Sequence, residues 1–145
     1  MKSLLCGCII SYCAIASSGC GSNAAGKALE GTYSVMISAN GKSDPDVMTV
    51  SPGTDDKLLL TFVAGITTDV GAVNANGLRA DLTDSSKVTL AAQPVHIDHS
   101  TGFVSGTVTG EGTLNGDGSA DLTLHFTDES GVGGAQDYTI AGSKE

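Results

Sequence analysis

The 145-residue chain predicts an all-β fold: about eight antiparallel strands in a meander, closing into an up-and-down β-barrel. Three observations carry this. Apolar and polar residues alternate with period two in segment after segment from residue 31 to 143. Clusters of Gly, Asn, Asp and Ser separate the segments, helped by 20 glycines in all. No convincing helical period interrupts the series. A two-sheet β-sandwich is the alternative, because period alone does not separate the two architectures.

Taken in order, "GTYSVMISA" places Tyr33, Val35 and Ile37 on one face and Thr32, Ser34 and Ser38 on the other. After a turn spelled "NGKSDPD", "DVMTVS" reads as a short second strand. "KLLLTFVA" is apolar on both faces and should be well buried. Residues 65–77 fit a long loop, a short helix or a ninth strand, with Asn76-Gly77 as a turn dipeptide before the next strand. "LRADLT" sets Leu78, Ala80 and Leu82 against Arg79, Asp81 and Thr83. "KVTLAAQPVHID" is longer, and its pattern slips: Val88, Leu90 and Ala92 share one parity, Val95 and Ile97 the other. Pro94 stands at the slip, which predicts a β-bulge near Gln93-Pro94. "GFVSGTVTGEGTL" is a strand softened by glycine. "SADLTLHFTD" alternates cleanly, with Leu122, Leu124 and Phe126 inward, and "AQDYTIAGS" ends the series. Consecutive strands pair with neighbours, and closure of eight removes both sheet edges.

Ahead of the strands, Lys2 is followed by "LLCGCIISYCAIA", an uncharged apolar run. It is short of the ~20 residues a membrane span needs and has the length of a signal-peptide hydrophobic region. Ser17, Ser18 and Gly19 then precede Cys20. Small residues before a cysteine resemble the bacterial lipobox, although Ser17 stands where a branched apolar residue is usual. That resemblance implies cleavage between Gly19 and Cys20 and a lipid anchor on Cys20, with fatty acyl chains such as palmitate. Ordinary signal-peptide cleavage is the competing reading. Cys6, Cys8 and Cys13 fall in the discarded peptide, so the mature domain has neither a free thiol nor a disulfide. The expected organisation is a signal peptide over 1–19, a flexible tether over 20–28 and a single barrel domain over 29–145. Gly21, rather than Asp, after the cysteine points by the same resemblance to the outer membrane of a host that has one.

The formal net charge is −9 at pH 7, with no Lys/Arg cluster. That balance repels phosphates and excludes nucleic-acid partners and electrostatic membrane binding. The membrane partner would be reached through the lipid alone. Trp is absent and aromatics are few, so stacking platforms are scarce.

The order "GTYSV…LLLTF…LRADLT…VTLAAQPV…SGTVTGEGTLNGDGSADLTLHFTDE" resembles small bacterial lipoproteins with a lipocalin-like β-barrel. Gly31-Thr32-Tyr33 is similar to the Gly-x-Trp of lipocalins, with Tyr33 in place of the Trp. The arginine that lipocalins stack on that Trp has no counterpart here.

Three groups of residues are candidates for chemistry. "NGDGSADL" offers Asn115, Asp117 and Asp121 as oxygen ligands for calcium. Position 113 is Thr where calcium loops carry their first Asp, and the stretch reads better as a hairpin turn. "HIDH" offers His96, Asp98 and His99, but a strand splits them between two faces, and His125 lies on another strand. Glu111, alone between glycines, reads as a solvated carboxylate. No nucleophile elbow or phosphate loop is present. No cofactor and no catalysis are expected. The predicted role is binding of a small or apolar ligand, or, as the alternative, contact of a filled barrel with another envelope component. An enclosed apolar cavity above ~300 Å³ would favour the first. A core filled by Tyr33, Leu60, Phe62, Leu122, Leu124 and Phe126 would favour the second.

Overall fold

The structure, a computed structural model, describes residues 21–67, 72–73, 75–99, 102–129 and 134–145. The signal-peptide reading, Gly19 and Cys20 lie outside the described residues. One helix, α1 (Gly21–Leu29), precedes ten strands: β1 (Gly31–Ala39), β2 (Lys42–Pro52), β3 (Leu58–Phe62), β4 (Ile66–Thr67), β5 (Ala72–Val73), β6 (Leu78–Leu82), β7 (Lys87–His99), β8 (Gly102–Leu114), β9 (Ser119–Asp128) and β10 (Ala135–Lys144). Every pairing is antiparallel. The first strand meets the last, from Tyr33↔Lys144 to Ser38↔Thr139, and β7 pairs with β8, so the sheet closes on itself. The result is an eight-strand up-and-down barrel, which the β1–β10 and β7–β8 pairings distinguish from a sandwich.

The two shortest strands complete the wall. β4 and β5 pair with each other, and β5 meets the far end of β7 through Ala72↔Asp98 and Val73↔Ile97. β6 meets the near end through Asp81↔Thr89 and Leu82↔Val88. Residues 65–77, left open by the sequence, thus hold most of a short hairpin that extends β3 and β6. Between the two contacts with β7, the Gln93 side chain does the work of a peptide group. Arg79 N–H donates to Gln93 Oε1 and Gln93 Nε2 donates to Arg79 O, both at 2.9 Å. A bulge brings Gln93 there, just ahead of the expected Gln93-Pro94 step: the β7–β8 register shifts between Leu90 and Gln93, so Ala92 is exposed rather than inward and Pro94 pairs in register with Thr107.

Three elements differ from expectation. β3 stops at Phe62, and Val63 and Ala64, expected to be well buried with it, are exposed. β2 starts at Lys42, not Asp46, because Asn40 (φ 50) and Gly41 (φ 75) alone make the turn between Ala39 and Lys42. Pro45 is tolerated inside the strand because β3 pairs with β2 only from Met48 onward, leaving one side of Pro45 unpaired. The segment expected to be an aperiodic tether is helical from Gly21 to Leu29. Its last turn is tied to the barrel: Tyr33 Oη donates to Leu29 O at 2.7 Å, Lys144 Nζ donates to Ala28 O at 3.2 Å, and Leu29 is buried.

Inward positions of all the strands meet in one apolar cluster. Tyr33, Leu60, Leu122 and Leu124 have no exposed surface, and Phe62 and Phe126 retain at most 2%. Each such side chain contributes about 1.5–3 kcal/mol by leaving water. β8 contributes little volume, because Gly106, Gly110 and Gly112 alternate with the inward Val108 and Leu114. A Cβ on Gly110 would lie 2.6 Å from Leu124 Cδ2, and one on Gly112 would overlap the Asp121 carbonyl oxygen. The glycines therefore let β9 curl tightly onto β8.

Burial pushes the Tyr33 hydroxyl above the ordinary phenol value of 10.0. Since the folded value is the higher one, its stabilising contribution is intact below the ordinary value and lost as pH rises through the raised one. Tyr33→Phe should lose about 1 kcal/mol in urea denaturation at neutral pH. The gap between the proteins should narrow in alkali; a constant gap would contradict this role of the hydroxyl.

Candidate functional site

The meander places the β1–β2 turn and the C-terminal ends of β4, β7 and β9 at one end of the barrel. α1 and the other turns lie at the opposite end. At the first end the wall splits. β2 and β3 pair from Pro52↔Leu58 to Met48↔Phe62, and beyond that the chain turns away at Gly65 (φ 77). Two hydrogen bonds bridge the divergence: Val63 N–H to Val47 O at 3.0 Å, and Ala64 N–H to Asp46 Oδ1 at 2.9 Å. Asp46 Oδ1 also accepts the Val47 N–H at 2.7 Å. The carboxylate thus replaces a strand partner where pairing fails.

A pocket of about 300 Å³ opens in this split. Ile37, Pro45 and Tyr138 form apolar parts of its lining, and Lys42, Asp44 and Asp46 bring charge to it. The Tyr138 hydroxyl lies 2.6 Å from Thr67 O and 2.7 Å from Gln136 Oε1, acceptors that share its proton. Its ring stands edge-on to Phe126 with centroids 5.4 Å apart, which fixes the wall against the core. Asp46 Oδ2 is buried and has no hydrogen-bond partner among the described residues. A native orphan of this kind calls for a physical explanation.

The residues singled out from sequence lie elsewhere. "NGDGS" forms the β8–β9 hairpin turn: Gly118 N–H donates to Asn115 O at 2.9 Å, and Asn115 N–H to Ser119 O at 2.8 Å. The Asp117 carboxylate accepts both the amide and the hydroxyl of Ser119, at 2.8 Å each, which holds it below its ordinary value. Asp121 is exposed in β9. His96 packs edge-on to Phe103, Asp98 is exposed, and the His99 side chain lies outside the described residues. His125 Nδ1 lies 2.5 Å from Asp137 Oδ1 on the outer face. Glu111 is exposed. Among the described residues no three His, Cys, Asp or Glu side chains are grouped to hold a metal. Sequence reasoning missed Asp46, whose environment depends on a split between strands that alternation does not encode.

No protein-family model matches the chain, and no curated protein does. A crystal structure from Bacteroides fragilis, described as a "putative outer membrane protein", is similar at a TM-score of 0.50 with 14% identity. The match covers 83% of this chain and 52% of that one, so the chain spans about half the length of its neighbour. At that identity the likeness is one of fold. The wall itself has the polarity opposite to that of a membrane-spanning barrel. Along β9, Leu122, Leu124 and Phe126 face in, while Asp121, Thr123, His125 and Thr127 face water.

Proposed function

We propose that the chain is an exported envelope protein, held to a membrane through lipid on Cys20, whose non-catalytic barrel binds a small ligand at its open mouth. The observation that carries the binding half is the pocket of about 300 Å³ at the mouth; the buried Tyr33, Leu60, Phe62, Leu122, Leu124 and Phe126 speak against a ligand inside the barrel and favour the second reading below. The sequence carries the anchoring half. The lipobox-like residues precede α1, which caps the end opposite the pocket, so a lipid there would leave the mouth facing away from the bilayer. The similar fold of a protein described as an outer membrane protein supports the envelope address. A second reading is contact with another envelope component, favoured by two exposed apolar side chains, Val63 on the lip beside the pocket and Phe103 at the start of β8.

Cys20→Ala should either block processing at Gly19, leaving an unlipidated precursor, or release the processed protein from detergent-extractable membranes. Unchanged cleavage and unchanged membrane partitioning would sink the lipid anchor.

A further inference from the structure

We propose that the mouth pocket is a site for a small organic cation, whose ammonium group pairs with Asp46 and whose carbon skeleton lies against Tyr138 and Ile37. This rests on the reading of the mouth as the recognition end and adds the class of ligand. Asp46 uses one carboxylate oxygen to close the wall, accepting two backbone N–H groups. The other oxygen is buried and unpartnered among the described residues. An unpaired buried acceptor costs free energy that a donor recovers, and a charged donor recovers most. Asp44 also lines the pocket, so with Lys42 the local balance is negative, on a chain of net charge −9.

The remaining lining sets the kind of cation. Calcium takes about 6–8 oxygen ligands. Here Asp46 Oδ1 is committed to backbone amides, and the Gln136 oxygen already accepts from Tyr138. An ammonium group needs fewer acceptors. The apolar parts of the lining suit its methylenes. A volume of about 300 Å³ suits an amine of diamine or amino-sugar size. Entry requires the lip of β2 near Pro45 to move outward, because Oδ2 is covered; that lip lacks a β3 partner.

The test is an NMR titration of the full, isotope-labelled chain in detergent at constant ionic strength. Putrescine and glucosamine are the probes, and 1,4-butanediol, glucose and calcium chloride the comparators. The amines should give saturable shifts at the Val47, Ala64 and Gly65 amides; the neutral analogues and calcium should not. Asp46→Asn keeps an oxygen for both backbone amides but puts an NH2 group in place of the orphan. It should remain folded and bind the amines about tenfold more weakly or worse. Asp44→Asn, which leaves the clamp untouched, should weaken binding less. Equal shifts with the diol and glucose, undiminished in Asp46→Asn, would overturn the cationic class while leaving the mouth as the site. Saturable shifts with calcium alone would replace the organic cation by a metal. Shifts confined to the Leu122 and Leu124 methyls would overturn the mouth reading itself. No saturable shift with either amine would overturn the proposal.

Discussion

Gly112→Val should destabilise the barrel by about 3 kcal/mol or more, lowering the midpoint of urea unfolding while the slope stays the same. Gly112 faces inward on β8 where β9 curls onto it, opposite Leu122. A Cβ at that position meets the Asp121 carbonyl oxygen and Leu122 Cα at 2.6 Å. Both are backbone atoms, so no rotamer change relieves the overlap. Adding Leu122→Ala should therefore fail to rescue the variant, and full rescue would show that only side chains collide. Gly116, in the hairpin turn with open space around its Cα, is the control. Gly116→Ala should change stability by no more than about 0.5 kcal/mol.

Phe126→Ala should cost about 3–5 kcal/mol. Phe126 is buried on β9, and its ring supports Tyr138 at the inner wall of the mouth. Its removal leaves a cavity and frees that wall. The loss of stability should therefore come with increased hydrogen exchange at Gln136 and Tyr138. Loss of stability with unchanged exchange there would mean that the mouth is held independently of the core.

The fold was legible wherever one face of a strand is buried and the other wet. The alternation of Leu122, Leu124 and Phe126 with Asp121, Thr123 and His125 excludes a one-residue slip, which would turn the apolar set to the outer face. The bulge was legible too, because Val88 and Val95 fall on opposite parities and yet both are buried. Closure was inferred from eight successive strands rather than read from any residue. Where the sequence misled, a local rule met a tertiary exception. Pro45 reads as a breaker, and only the missing β3 partner makes it acceptable in β2. The helix α1 is too short for its few small apolar residues to announce it, and its last turn is held by buried Leu29 and the bonds to Tyr33 and Lys144.

The candidate site was illegible for a related reason. Asp46 looks like the polar start of a strand. Its function as a clamp comes from Ala64, far along the chain, and from a gap that no periodicity announces. The residues that did stand out in sequence, Asn115, Asp117 and Asp121, stood out because turns and metal loops draw on the same residues. In the structure Asp117 spends its carboxylate on Ser119.

Everything proposed for the mouth depends on the barrel being solid. Xenon settles that directly, because it enters dry apolar cavities and ignores filled ones. Crystals pressurised with xenon should show none inside the barrel of the natural protein, and a new site beside Leu124 and Tyr138 in Phe126→Ala. Xenon bound within the natural barrel, among Tyr33, Leu60, Phe62 and Leu122, would contradict the filled interior and return the ligand to the inside.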